Sequence, residues 1–398
     1  MGKTLRPTYQ NLQEAAGQLG KSGVWVLCEH QDAVHEDLAR LREWLTTLGA
    51  LPFLSIHPQD ANGIHFLHVQ VSRSVPILSD LIERDDTLGI ATTLELDSLH
   101  RDDHLALEIV LSLAMSPIVF PFPSLNELQA SVTMRTRIAR AANQAELAFD
   151  TEGTERPPQY WQYHESTGFI LLPGQDLIEA LIHTTQPEVS GKLFSFSCYR
   201  ATEYVMLLGL TQTVKEVNRS LHDLIQSRWH RQAIMSGEFH DVFLREYGSM
   251  AQPLPATYYV PGDRLWFRNP DAHSSDVEGF EGSWVFYLGG GYFNNFWKHR
   301  QPFTFVTKCI EIYHWRHGAY YDLQGVLRMN EDIVEQHVRE TLANPVEKAR
   351  ILERMMRMRD PQGVYADGGC IDSTRECVRW ICSGTSDIEI PYQKIDKG

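Results

Sequence analysis

The spacing of apolar and polar positions changes character along the chain. Over the first 120 or so residues, strand-like runs alternate with helix-like ones. Val24 to Cys28, Phe53 to His57 and Ile64 to Val71 carry the short alternating pattern of strands, whereas Ala33 to Leu48 and Asp103 to Met115 repeat their apolar residues at helical spacing. An α/β domain is expected there, spanning residues 1–122. The Pro-rich segment from Ser116 to Pro123 cannot continue a helix or a central strand, and it predicts a boundary.

Leu125 to Phe149 reads as mainly helical, with Arg135, Arg137 and Arg140 on its polar positions, until the turn-rich stretch from Thr151 to Pro158. A strand from Gly168 to Leu172 and a helix from Asp176 to His183 lead into LFSFSCYRATEYVMLLGL (193–210). From residue 256 strand patterns dominate: ATYYV, DRLWFRN and GSWVFYLGGGYFNNFW, followed by a helix over about Lys308 to Trp315 and a strand near Tyr320. Two helices, Glu331 to Leu342 and Val346 to Arg359, are split by Asn344-Pro345, where Asn caps and Pro starts the second. Gly289-Gly290-Gly291 lies between strands with no Lys-Ser or Lys-Thr after it, so it predicts a hairpin turn rather than a phosphate loop.

Composition narrows the function classes. The 398 residues are 43% hydrophobic and 22% charged, as in folded globular proteins. With 36 Lys and Arg against 51 Asp and Glu, the net charge is -15, which repels phosphate backbones and anionic bilayers and argues against nucleic-acid and membrane partners. The most apolar stretch, Ala106 to Phe122, contains Glu108, Pro117 and Pro121 and does not suit a bilayer span. The N-terminus lacks a secretory apolar core, and a cytoplasmic location is expected.

Six cysteines are too sparse for a disulfide framework. Cys370, Cys377 and Cys382 lie close together in sequence but lack a fourth ligand, so packing thiols or one facultative disulfide are expected and no metal or other cofactor. His65 and His68, three apart on a strand, point to opposite faces and do not share a ligand.

The chemistry concentrates at Cys198. Ser197 can cap a helix whose segment Thr202 to Leu210 is apolar apart from Glu203, which puts Cys198 in the first turn of a core helix. Helix dipole and unpaired N–H groups there favour the thiolate, lower the thiol pKa and offer donors to an oxyanion. From the residues alone, an inert buried thiol is the alternative.

At these residues a resemblance emerges. LFSFSCYRATEYVMLLGL resembles the segment around the nucleophile of the bacterial spore-coat type protein-glutamine gamma-glutamyltransferases, the small bacterial transglutaminases. GDRLWFRNPD and EGSWVFYLGGGYF are similar to that family's glycine-aspartate strand, asparagine-proline turn and next strand pair. IEIYHWRHGAYYDLQGVLRMN resembles its closing helix and strand, and Trp229-His230 falls where the family also has a tryptophan-histidine pair. The resemblance spans about residues 123–334. It implies an α/β (α+β) fold: a papain-like core, with the N-terminal domain 1–122 and a helical C-terminal extension 335–398 as additions.

It also implies acyl transfer through a Cys198 thioester, from a protein, peptide or carrier-bound donor to an amine. The family's histidine aligns with Asn295 and its strand carboxylate with Ser283, and asparagine cannot take up a proton. Three repairs are open. His299 with Glu281 could restore the pair; His230, His240, His314 or His317 could approach from another element; or an already activated thioester donor would need less help. Trp284, Tyr292 and Phe293, with Trp229 and His230, are candidate substrate contacts, although such aromatics are also core formers. Two other functions stay open: thioester transfer to water, as in a deamidase, amidase or thioesterase, and a catalytically silent binding fold whose acidic N-terminal domain meets a partner.

Overall fold

The N-terminal strand signals pair into one sheet. Strands β1 (Gly23–Leu27), β2 (Leu54–Ala61), β3 (Ile64–Val71) and β4 (Val119–Phe122) take the order β2-β3-β1-β4. β2 and β3 form an antiparallel hairpin, β3 pairs antiparallel with β1, and β4 runs parallel to β1. Pro121 is accommodated because β4 is an edge strand, where a missing N–H costs no ladder bond. Helices α1 (Ala33–Thr47) and α2 (Asp102–Ala114) pack onto this sheet. These relations come from a computed structural model of the chain, which describes residues 8–19, 22–61, 63–149, 155–298, 300–359 and 368–391.

The chain then forms α3 (Leu125–Gln144) and α4 (Cys198–Val217), which lie against each other in the largest apolar core. At their crossing Gly209 is required: a Cβ there would sit 2.5 Å from Ile138 Cγ1 and 2.8 Å from its backbone nitrogen. Against α4 stands an antiparallel six-stranded sheet of β5 (Leu244–Tyr247), β6 (Arg264–Arg268), β7 (Gly282–Gly289), β8 (Tyr292–Phe293), β9 (Phe303–Thr304) and β10 (Arg375–Val378). Its order is β9-β8-β7-β6-β10-β5. Helices α5 (Phe305–Gly318), α6 (Glu331–Ala343) and α7 (Pro345–Met355) share a second core with this sheet.

The architecture is mixed α/β, as expected, with three local corrections. Among the described residues the C-terminal tail is helical only as far as Met355; β10 is a strand inside the large sheet, and its charged Arg375 and Glu376 are buried. The ATYYV segment is not a strand. Its N–H groups are taken by other partners: Tyr258 by Pro255 O, Tyr259 by Thr87 Oγ1 and Val260 by Asp263 Oδ2. Arg135, expected on a polar face, is buried and donates to Asp263 at 2.6 Å, so the Gly262-Asp263 turn is tied to α3 by an ion pair.

Among the contacts that bind the N-terminal sheet region to the rest, an apolar core and a buried carboxylate stand out. Its apolar core continues past residue 122 through Leu125, Leu128, Tyr247, Tyr258 and Val260. Glu108 of α2, fully buried, accepts from the Tyr287 hydroxyl at 2.7 Å and from the Gly290 N–H. The glycine run it holds is the expected hairpin turn, with φ of 89°, 66° and 80° at Gly289, Gly290 and Gly291.

Candidate active site

Cys198 is the first residue of α4, and Ser197 caps that helix by accepting from the Arg200 N–H. The thiol is half-buried and lines a cavity of about 400 Å³. One wall is the start of β7, with Gly282, Ser283, Trp284 and Val285, continued by Asn294 to Trp297 after the hairpin. The opposite wall comes from α5 and α6, which contribute Lys308, Glu311 and Trp315, then Glu331, Glu335 and Arg339.

The thiol's pKa lies above the ordinary value, not below it. Burial is the largest cause and the Glu281 carboxylate adds to it; the N–H groups of Trp284 and Tyr199, with Lys308 further off, pull the other way and do not prevail. The expected depression by the helix start is thus corrected: the backbone donors are present, but so is desolvation. Those two backbone N–H groups favour the thiolate form of the sulfur.

The residues expected at the site separate into three groups. Ser283 and Asn295 line the cavity with Cys198, and Trp284 joins them. Asn295 uses its side-chain oxygen to accept from the Trp297 N–H at 3.1 Å, which fixes the turn leaving the hairpin. Glu281 is exposed and absent from the lining, and it acts on the thiol through its charge. His299 lies outside the described residues.

The remaining candidates are elsewhere. Phe293 is fully buried among Tyr259, Phe267, Tyr287 and Phe305, and Tyr292 beside it does not reach the cavity. Trp229 is a core residue stacked near Phe243. His230 is held between Leu171 O and Gln226, and His240 pairs with Glu376 at 3.2 Å. His314 and His317 face each other. No histidine among the described residues lines the cavity.

Residues that the pattern reading did not name complete the site. Lys308 is 3% exposed, with its ammonium 3.9 Å from the Phe303 ring centroid and 3.5 Å from Glu311. A signal for it was present: Phe305, Lys308, Ile312 and Trp315 fall on one helical stripe, all four are buried, and one is cationic. Lys298 pairs with Glu335 across the cavity mouth, and Arg339 lies 3.6 Å from the same carboxylate. Glu331 has a raised pKa, chiefly from burial, with Glu311 and Glu335 adding to the rise against Lys298.

Behind the Cys198 wall, the Trp284 ring stacks on Trp266 at 6.0 Å and meets Tyr199 edge-on at 5.3 Å. The Arg264 guanidinium stands 4.6 Å from the Trp284 ring and 4.7 Å from that of Tyr199, and pairs with Glu376, which in turn binds His240. This buried chain fixes the two residues whose N–H groups face the sulfur.

The described residues hold no helix long and apolar enough to cross a membrane. The chain is similar to a protein-glutamine gamma-glutamyltransferase from Halalkalibacterium halodurans, 24% identical over 178 residues, which cover 44% of this chain and 57% of that protein. The chain therefore spans little more than half the length of that curated relative. Among solved structures it is similar to a transglutaminase from Geobacillus stearothermophilus without its C-terminal extension, at 21% identity and a TM-score of 0.36, covering 54% of this chain and 98% of that one. The pattern of the protein-glutamine gamma-glutamyltransferase family (TGL) matches residues 89–375, starting within the N-terminal region near α2 and ending at the first residue of β10. With more than half of its length matched, this chain belongs to the protein-glutamine gamma-glutamyltransferase family, as a divergent bacterial transglutaminase.

Proposed function

We propose that the protein is a cysteine-dependent acyltransferase that forms an amide or isopeptide bond. The observation that carries the reading is the position of Cys198, the one cysteine among the cavity's lining residues, at a helix start with two backbone N–H groups on its sulfur. The Cys198 sulfur attacks the acyl carbon of a glutamine carboxamide or a carrier-bound thioester, giving an acyl thioester and releasing ammonia or a thiol. A primary amine then attacks the thioester, the amide forms and the Cys198 thiol is regenerated.

The cavity's chemistry favours the activated thioester as donor. Ser283 and Asn295 cannot hold a proton for a departing amine, and the resting sulfur is chiefly a thiol near neutral pH. A thiolate leaving group needs no proton to depart. Lys308 is the cavity cation whose charge favours the Cys198 thiolate when it forms. In the same reading, residues 1–122 govern access to the cavity or recruit the donor, residues 335–398 complete its outer wall and sheet, and the acyl acceptor is an amine on a protein or small molecule.

Incubation of the full chain with a dansylated primary amine and either a glutamine-rich protein or an acyl-thioester donor tests this reading. The expected result is amine incorporation that disappears in Cys198→Ala, with a mass increase on the Cys198 peptide when the amine is omitted. Release of free acid or ammonia without incorporation moves the protein to the hydrolase reading. Absence of both, with no covalent adduct at Cys198, leaves the silent binding fold and overturns the proposal.

A further inference from the structure

Outside the cysteine cavity, one cluster of side chains is built as a ligand set. His314 and His317 are three residues apart on α5, a spacing that puts both on one helix face. His337 of α6 lies over them, its ring 5.3 Å from His314 at 16° and 4.7 Å from His317 at 41°. One donor atom from each of the three imidazoles falls within 4.8 Å of the other two. The Nδ1 atoms of His314 and His317 are 2.9 Å apart.

The second nitrogen of the buried member is already committed. His314 Nε2 bonds Thr341 Oγ1 at 2.7 Å, and Thr341 is itself buried. That bond fixes the ring's orientation and turns Nδ1 toward the other two rings, the way an outer hydrogen bond orients a ligating imidazole. Two nitrogens on one tetrahedral zinc, each about 2.0 Å from the ion, are about 3.3 Å apart. The observed pair needs only a small opening to admit an ion.

We propose that His314, His317 and His337 bind a divalent transition-metal ion of the zinc class, with water at the fourth position. Three imidazole donors, with the Glu340 carboxylate 3.6 Å from His337 Nδ1 at the edge of the set, favour zinc, copper or nickel over magnesium or calcium. The ion pins α5 to α6, the two helices that carry Lys308, Glu311, Glu331 and Glu335 into the cavity, and so acts as a clamp on its outer wall. It lies outside the lining of the Cys198 cavity and takes no part in acyl transfer.

The full chain, stripped with a chelator, is titrated with Zn²⁺ by calorimetry and with Co²⁺ by visible absorption, alongside His317→Ala and His337→Gln. His317 is exposed, and neither substitution removes the buried His314–Thr341 bond. The expected result is one tight ion per chain, a visible cobalt band without thiolate charge transfer, and affinity lost at least tenfold in each variant. Zinc also raises the unfolding temperature of the native chain, and this rise is absent in both variants. Failure of the chain to bind zinc at equimolar micromolar concentration overturns the proposal. So does unchanged affinity in the variants, or a thiolate band that places cobalt on a cysteine. None of these readouts involves acyl transfer, so the two proposals stand or fall separately.

Discussion

The two walls of the Cys198 cavity are chemically unlike. The wall made by the helix start and β7 offers a thiol, backbone N–H groups, Ser283, Asn295 and aromatic rings, and no side chain on it carries a proton that titrates near neutral pH. The facing wall from α5 and α6 is crowded with ionisable groups: Lys308, Glu311, Glu331, Glu335 and Arg339. Ser283 and Asn295, which the resemblance aligns with the family's carboxylate and histidine, lie on the first wall and cannot exchange a proton near neutral pH; charge acts on the sulfur from Glu281 beside β7 and from Lys308 of α5. What the difference teaches is that the thiol's setting and most of the charge lining its cavity are carried by separate elements, and they can be perturbed one at a time.

The largest expected effect is on the first wall. Cys198→Ala removes the thiol that the proposed reaction acylates, and amine incorporation is expected to fall by on the order of 10³-fold or more, the scale seen when a covalent nucleophile is deleted. The fold should be kept, because alanine continues the helix start; circular dichroism alongside the assay checks that.

Next comes the support of that wall. Glu108→Leu leaves the Gly290 N–H and the Tyr287 hydroxyl without their buried acceptor, and about 2–3 kcal/mol of stability is expected to be lost. Glu108→Gln, which keeps an acceptor oxygen, should recover most of it. Denaturant unfolding at a single pH measures both.

The comparison is sharpened by Lys308→Met. Removing a cation whose field lowers the thiol pKa should push it further up and slow alkylation of Cys198 severalfold at pH 8. In the unaltered chain, the same alkylation is expected to rise with pH to a midpoint above the ordinary thiol value of about 8.5. A midpoint below it would show that burial does not dominate at the sulfur, and no response to Lys308→Met would show that the helix wall does not reach it.

The smallest effect belongs to His240. Its pKa is raised, first by the hydrogen bond to Glu376, so its contribution to stability is complete below the unfolded value of about 6.5 and is lost as pH climbs through the higher folded value. For a partly exposed pair screened by water, this amounts to a few tenths of a kcal/mol. The difference in unfolding temperature between the native chain and His240→Gln, followed from pH 5 to 9, should shrink steadily over that window.

Much of the first wall was legible in the sequence, and little of the second. The helix at Cys198, the strand from Gly282 and the glycine hairpin are local: a cap residue, a run of β-formers and three consecutive glycines each specify their own geometry. Four quoted segments then gave the family resemblance in the right order. The α5–α6 wall depends on contacts between segments, and Glu331, Glu335 and Arg339 read as ordinary surface positions of an amphipathic helix. Buried charge misled the reading elsewhere in the same way. Arg135 looks solvent-facing by pattern, yet it is buried and neutralised by Asp263.

The place of β10 has a consequence for assembly. Residues 375–378 enter between β6 and β5, which are complete far earlier in the chain. A ribosome making this protein releases the strands on either side of that slot, and the whole of α4, long before the strand that fills it. Until then β5 and β6 present open edges that invite pairing with any other extended segment. The large sheet is therefore closed by a strand that emerges only after α5, α6 and α7, and the growing chain depends on that late insertion to seal its own edges.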